Sequence, residues 1–295
     1  MIQIFLTIFS AFLHPLRDFI LKNEKDNRDA LYILMLLFWS LYGGILTIIL
    51  NHSFSISGYT LFLCLISSVG NLIYFASIAR ALKNGEFSVL YPIIRSTPFL
   101  IAFFKWAFFG FSYKPLFIFG ILLVVYGVIS IQSGFVFWKN IEEIKNNKNN
   151  IFYAIFALIG GVIYYVVDDI AMSSGQISPN AYLFYNFSIC GFLFLFILLF
   201  KGGLKKELTV LKHIMKHNWY KPALAGLTGF ISYFCIVTAI SLGGNVVLIS
   251  ALRLWGIPFA VILGVFYLKE KKNLQRKIIA ILIIFIGSII ATINK

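Results

Sequence analysis

The stretch VLYPIIRSTPFLIAF, residues 89–103, places Arg95 in the middle of an apolar segment, and VLISALRLWGIPFAVIL, residues 247–263, does the same with Arg253. An ionised side chain at membrane depth costs at least about 2.5 kcal/mol and usually faces a protein interior or a wet cavity. At one constant shift, the preceding Ala81, Gly85, Val89 and Leu90 align with Ala239, Gly243, Val247 and Leu248. A matched pair of arginines in two halves of one chain indicates a polar centre for transport.

The composition is that of a membrane protein with several spans. Of the 295 residues, 60% are hydrophobic and only 12% are charged, whereas soluble domains are about 45 to 50% apolar. The mean hydropathy is +0.90. Only helices and closed barrels satisfy their backbone groups inside a bilayer. The apolar runs are continuous and not alternating, so they predict helices of about 20 residues.

These runs predict an all-α membrane protein with ten transmembrane helices. No segment between the runs is long enough for a soluble catalytic domain. The first run carries His14, Arg17 and Asp18 and lacks a small-residue cleavage site, so we expect a retained helix and not a signal peptide. The spans are predicted at residues 2–21, 30–50, 58–79, 88–106, 115–137, 151–172, 180–200, 222–242, 245–267 and 277–294.

The sequence predicts an internal repeat in which a unit of five helices occurs twice. Besides the arginines, Asp18 and Ile20 align with Asp168 and Ile170. Ile121, Leu122, Gly127 and Ile129 align with Ile281, Leu282, Gly287 and Ile289. Because five is odd, the second copy enters the membrane from the opposite side, which gives an inverted repeat with a site near the midplane. The predicted divisions are a first repeat over 1–137, a basic linker over 138–150 and a second repeat over 151–295.

The net charge of +14 is explained by membrane topology, so no nucleic-acid partner is expected. The odd-numbered loops hold 19 Lys and Arg residues, and the even-numbered loops with both tails hold two. Basic loops stay cytoplasmic, which places both chain ends outside. The most basic loop, 201–221, could lie on anionic lipid as an amphipathic helix, but we expect a solvated loop.

Motifs for metals, cofactors and hydrolytic catalysis are missing from the sequence. Cys64, Cys190 and Cys235 lie singly in apolar spans and are expected to be packing residues. His213 and His217 have a helical spacing that can hold zinc, but no further ligand lies near them in the sequence, so surface positions are expected. There is no phosphate loop and no Gly-x-Ser-x-Gly elbow. We therefore expect no metal, no cofactor and no enzyme activity.

Arg95 and Arg253 admit two interpretations. They could form a cationic pocket for a carboxylate or phosphate, which a planar guanidinium grips with two hydrogen bonds. Alternatively, each could pair with an aspartate or with helix carbonyls and only lock the bundle. Aromatic residues and prolines nearby are typical of a cavity with locally broken helices, and these are Tyr91, Pro92, Thr97, Pro98, Trp255 and Pro258.

Four motifs resemble the EamA-type transporters of the drug/metabolite transporter superfamily. SAFLHPLRDFILK is similar to the family's first helix through His14, Asp18 and Lys22. LYPIIRSTPFL resembles the family's Tyr-Pro-x-x-Arg motif. ALIGGVIYYVVDDIAM resembles the family's sixth helix through Tyr164 or Tyr165 and Asp168 or Asp169. ALRLWGIPFAVILGVFYLKEK resembles the ninth helix through Arg253, Gly264 and Glu270. The resemblance implies a central cavity lined by spans 1, 3, 4, 6, 8 and 9. Arg17 and Leu254 depart from the family pattern.

The leading hypothesis is a secondary transporter in a bacterial cytoplasmic membrane. Its substrate is expected to be a small amphipathic or anionic metabolite, such as an amino acid, moved inward or outward by alternating access. The predicted substrate-binding residues are Arg95, Arg253, Tyr91, Trp255, His14 and Tyr164, and the predicted gating or proton-coupling residues are Asp18, Asp168 and Asp169. The expected partners are this substrate, the lipid bilayer and, in a homodimer, a second copy.

Two other functions stay open. The first is a flippase whose arginines hold the phosphate of a lipid-linked or lipid-like compound. The second, from another class, is a membrane-embedded transferase that uses Asp168 and Asp169 as a metal site. Adjacent residues of a helix point about 100° apart, which makes joint coordination awkward.

Overall fold

The structure is a computed structural model that describes residues 1–21, 28–84, 93–133, 148–202, 204–267 and 274–294. Within these ranges the chain forms helices joined by turns and short linkers, and it contains no β-strand. The expected all-α class is therefore confirmed for the described part of the chain.

We label the helices in chain order. They are α1 (Ile2–Leu21), α2 (Arg28–Ile49), α3 (Gly58–Asn84), α4 (Thr97–Phe109), α5 (Pro115–Ser133), α6 (Lys148–Ser173), α7 (Pro179–Gly202), α8 (Leu204–His217), α9 (Tyr220–Ser241), α10 (Val246–Leu252), α11 (Gly256–Tyr267) and α12 (Leu274–Ile293). A one-turn 3-10 helix, Arg253–Trp255, lies between α10 and α11.

Six helices of the described ranges are long and apolar enough to cross a membrane. They are α2, α3, α6, α7, α9 and α12, and each lies at a predicted span. Shorter apolar helices occupy the other four predicted positions: α1, α4, α5 and the Val246–Phe259 segment of α10 and α11. Several apolar helices that are candidates for membrane spans are thus confirmed, whereas ten crossings stay a prediction.

The fourth and ninth predicted spans are each interrupted next to their arginine. Residues 93–95 are helical, Ser96 forms a turn, and α4 begins at Thr97. Residues 88–92 of the predicted fourth span lie outside the described residues. In the ninth span, the 3-10 turn begins at Arg253 itself. The local helix breaks predicted beside the prolines are therefore present.

The expectation of a solvated loop over residues 201–221 is wrong, because α8 fills most of it. Leu211 and Ile214 lie three residues apart, on one side of a helix. Their exposed fractions are 9% and 4%, and α8 packs against α2 and α7. Burial of this apolar face stabilises a helix in a segment whose many lysines suggested a loop.

The helices cluster into two compact units. Unit 1 comprises Met1–Leu72 and Val167–Gly243, and unit 2 comprises Ile73–Val166 and Gly244–Lys295. Each unit therefore takes helices from both predicted repeats, and α3 and α6 contribute to both units. In unit 1, α1 packs along α9, and α2 packs along α7 and α9. The repeat boundaries 1–137 and 151–295 stay a prediction.

Unit 2 is held together by close packing of α5 on α12. A Cβ added to Gly120 would lie 2.5 Å from the backbone nitrogen of Ala291, and one added to Gly287 would lie 2.8 Å from the Gly120 carbonyl oxygen. Small residues at such an interface let two helix backbones approach closely. Around this contact, Val124 and Ile284 are fully buried in an apolar cluster.

Candidate functional site

Asp168 on α6 is the centre of a buried polar cluster in unit 1, and its exposed fraction is 0%. One carboxylate oxygen, Oδ1, accepts hydrogen bonds from Ser67 Oγ at 2.6 Å and from the Tyr182 hydroxyl at 2.5 Å. The other oxygen, Oδ2, accepts a hydrogen bond from the Tyr233 hydroxyl. The three donors belong to α3, α7 and α9, so a single carboxylate links four helices.

Two buried asparagines extend this cluster. Asn186 Nδ2 lies 3.5 Å from the Tyr182 hydroxyl, and Asn71 Nδ2 lies 3.4 Å from Asn186 Oδ1. Asn71 Nδ2 also donates to the Ser67 carbonyl at 3.2 Å. Asn186 therefore contacts the Tyr182 hydroxyl, and Asn71 links Asn186 to the backbone of Ser67. Such networks fix the geometry of a polar centre inside apolar surroundings.

An aromatic wall positions Tyr233. The Trp39 ring meets Phe187 edge-on at 4.4 Å, and the Tyr233 ring lies 5.4 Å from Phe187 and 6.1 Å from Trp39. Trp39 has an exposed fraction of 1%, and its Nε1 has no hydrogen-bond partner among the described residues. It fits because position 229 is glycine: a Cβ there would lie 2.2 Å from Trp39 Cζ2.

The cluster gives Asp168 a defined chemistry. Burying an ionised carboxylate is costly unless hydrogen bonds replace its water. Three hydroxyl donors do so here. Taking up a proton or a small cation would change the charge at a point where four helices meet. This arrangement suits a group that couples ionisation to helix packing.

Arg253 forms a second charged centre, in unit 2. Its Nη1 donates to the Tyr165 hydroxyl at 3.0 Å, and its Cζ lies 5.9 Å from the centroid of the Tyr165 ring. Tyr165 packs on Tyr164 at 4.6 Å, and Tyr164 meets Tyr74 edge-on at 5.7 Å. The guanidinium is partly buried. A guanidinium carries five N–H donors in a planar fork, a geometry that suits this residue type to an anionic group.

Arg95 also lies in unit 2 and precedes its own helix break. Pro98 has no N–H to donate to the Ile94 carbonyl, and the Thr97 hydroxyl donates to that carbonyl instead at 2.8 Å. Ser96 Oγ donates to the Ile93 carbonyl at 2.7 Å. Side chains thus satisfy carbonyls that the break exposes. Both arginines lie where helix geometry is irregular, and Arg95 is partly buried.

The other predicted site residues have various surroundings. Trp255 Nε1 donates to Ser288 Oγ at 2.9 Å, and its ring packs on Phe285 at 6.0 Å. His14 is partly buried and lies 3.5 Å from Arg17 Nη2. These contacts pack Trp255 against α12 and give His14 a polar neighbour.

The two adjacent aspartates of α6 differ in burial, since Asp169 is only partly buried. Tyr91 and the Asp18 side chain lie outside the described part of the structure. The predicted roles of the site residues therefore stay predictions.

The hydroxyl partners of Asp168 did not come from the sequence. Ser67 with Asn71 and Tyr182 with Asn186 are both spaced four residues apart, so each pair shares one helix face. Polar residues repeated at this spacing in an apolar helix are a usable signal. None of these neutral residues is among the predicted site residues. Tyr233 has no polar residue three or four positions away in α9, so the same spacing does not identify it.

The described residues contain no group of three or more His, Cys, Asp or Glu side chains that could hold a metal ion. Cys64, Cys190 and Cys235 are buried free thiols. The rings of His213 and His217 are 4.8 Å apart, and both residues are exposed.

Comparison with known proteins finds a family match in the second half of the chain. Residues 148–293 match the model of the EamA-like transporter family, which belongs to the drug/metabolite transporter superfamily. The match confirms the resemblance inferred from the motifs over α6 to α12, and it indicates a membrane transporter of this type. No curated protein sequence matches the chain.

Chains of solved structures also match, 27 in number. One is described only as the crystal structure of a protein. It superposes with a TM-score of 0.72 at 16% sequence identity, over 98% of this chain and 98% of its own. At this identity the likeness shows a shared fold and no more.

Proposed function

We propose, on the premise that residues 148–293 are EamA-like, that the chain is a secondary active transporter of a small anionic or amphipathic metabolite. The observation that carries the proposal is the Asp168 cluster, a fully buried carboxylate that links four apolar helices. An ionisable group inside membrane helices is expensive and is commonly functional. We place the transporter in a bacterial cytoplasmic membrane, with both chain ends outside.

Arg253 is the proposed anchor of the substrate's anionic group. The partly buried guanidinium is oriented by Tyr165, and the adjacent helix break lets its position change without unwinding a long helix. Arg95 lies at the equivalent break and is the proposed second contact. A carboxylate bound by a guanidinium gains two parallel hydrogen bonds, which an ammonium group cannot provide.

Asp168 is the proposed coupling residue. While ionised, it holds Ser67, Tyr182 and Tyr233 through its two oxygens. Protonation removes the charge that makes these bonds strong, so α3, α7 and α9 become free to separate from α6. A proton then shifts the balance between two packings because it interacts unequally with them. This step makes a proton gradient the driving force of alternating access.

Two packing features support the proposed inverted repeat. The second helix of one predicted repeat, α2, packs against α7, the second of the other, and the fifth helices α5 and α12 pack against each other. A two-fold operation that exchanges the repeats would map each of these pairs onto itself. Ten crossings in two five-helix repeats are the proposed topology.

The test is uptake by sealed liposomes that contain the purified chain. Labelled amino acids and related small acids are added outside, with a pH gradient of either sign. We expect accumulation of at least one anionic or zwitterionic metabolite, lost in Arg253→Ala and kept in Lys114→Gln, a substitution in an exposed linker. If no small metabolite accumulates while labelled phospholipid changes leaflets, the protein is a flippase and the proposal is wrong.

A further inference from the structure

The amphipathic helix α8 connects two membrane-span candidates and therefore lies at the end of both. α7 ends at Gly202 and α9 begins at Tyr220, so α8 (Leu204–His217) has only short connections on either side. It packs on α2 and α7 through Leu211 and Ile214. A helix so placed runs along the boundary between membrane and water.

The side chains of α8 change in character in one direction around the helix. Successive residues of a helix are about 100° apart around its axis. Going once around α8, Ile214 and Leu211 come first, Met215 and Leu208 second, Lys212 and Lys216 third, and His213 and His217 last. The first pair is buried, and the second pair is apolar and exposed by 44% and 37%. Both lysines and both histidines are exposed.

This order matches the layers at a bilayer surface. Protein covers Ile214 and Leu211. At a bilayer surface, Met215 and Leu208 would contact acyl chains, the two lysines would contact phosphates, and the two histidines would face water. Two aromatic residues that follow the helix, Trp219 and Tyr220, are exposed by 55% and 47%, and such rings concentrate at the level of the headgroups. The apolar residues beside the lysines distinguish this surface from a site for a free anion.

We propose that Lys212 and Lys216 bind the headgroup phosphate of an anionic phospholipid, whose acyl chains contact Leu208 and Met215. Lysine side chains that emerge beside an apolar flank hold their ammonium groups at phosphate level. Each basic residue near an anionic lipid surface contributes about a fivefold gain in affinity. The two lysines together therefore account for about a 30-fold preference. The site is independent of the transported substrate.

The test is native mass spectrometry of the full chain in detergent. The probes are phosphatidylglycerol and phosphatidylcholine with identical acyl chains, titrated separately. The wild type is expected to bind phosphatidylglycerol more tightly. Lys212→Gln/Lys216→Gln should weaken that binding about 30-fold and remove the preference, and Lys216→Gln alone should weaken it about fivefold.

The matched control is His213→Gln/His217→Gln, which alters the water-facing side of the same helix and should keep wild-type affinity at neutral pH. Replacing both lysines with arginine should also keep it, which separates loss of charge from loss of folding. Unchanged phosphatidylglycerol binding in the lysine-to-glutamine variants overturns the proposal. So does displacement of the bound lipid by millimolar inorganic phosphate, because that result identifies a site for free anions.

Discussion

The acidic centre at Asp168 and the basic centre at Arg253 are built in opposite ways. Asp168 lies within the continuous helix α6, is fully buried, and is surrounded by hydroxyls from three other helices. Arg253 lies at a helix break, is partly buried, and contacts a tyrosine from one other helix. Hydroxyls from three helices enclose the first centre, whereas the second lies at an interruption between two helices. This difference motivates the proposal that the acid serves packing and coupling and that the base binds the ligand.

The largest expected effect is the loss of stability in Asp168→Ala. The substitution leaves the hydroxyls of Ser67, Tyr182 and Tyr233 without their buried acceptor, and each such loss costs about 1 to 3 kcal/mol. Because losses within one hydrogen-bond network are not additive, we expect a total destabilisation of about 3 to 5 kcal/mol, measured by thermal or denaturant unfolding in detergent. Asp169→Ala is the matched control on the same helix. Equal stability of both variants would contradict the closed character of the acidic centre.

Arg253→Ala should act on binding more than on stability. Loss of the guanidinium should weaken the binding of an anionic substrate by about 1.5 to 3 kcal/mol per lost charged hydrogen bond, and Arg253→Lys should have a smaller effect. Isothermal titration with the substrate found in the uptake screen measures this change in affinity. Unfolded protein in place of weakened binding would mean that Arg253 only locks the bundle.

Gly229→Ala tests the aromatic wall of the acidic centre. The new methyl group would lie 2.2 Å from Trp39 Cζ2, so either the indole or the α9 backbone must shift. Overpacking of this kind costs about 1 to 3 kcal/mol. Gly58→Ala is the control, because nothing lies within 4 Å of a Cβ at that position. Thermal unfolding of both variants should show a lower Tm only for Gly229→Ala.

The smallest effect is expected at Trp255, the predicted binding residue with a packing contact. Ser288→Ala removes the hydroxyl that accepts from the Trp255 indole at 2.9 Å. The expected loss is about 1 kcal/mol of stability, with unchanged substrate affinity. A clear loss of substrate affinity would support a substrate-binding role for Trp255.

The positions of helices followed from the sequence because they depend on local patterns. Long apolar runs predicted the spans, and Pro98 and Pro258 predicted irregular helices near the arginines. The partners of Asp168 did not follow, since Ser67, Tyr182 and Tyr233 lie on three different helices and meet only through packing. For α8 the sequence allows both an amphipathic helix and a solvated loop, and its lysines favour the loop, although Leu211 and Ile214 have helical spacing. For this segment, the spacing of apolar residues predicts the helix better than the mean polarity does.

The most direct measurement compares two kinds of transport in liposomes containing the wild type or Asp168→Asn. Asparagine keeps the size of the side chain and an acceptor for hydroxyls, but it cannot ionise. We predict that the variant no longer accumulates substrate when a pH gradient is imposed, while it still exchanges labelled for unlabelled substrate at equal concentrations. Accumulation at the wild-type level in Asp168→Asn would contradict the assignment of Asp168 as the coupling residue.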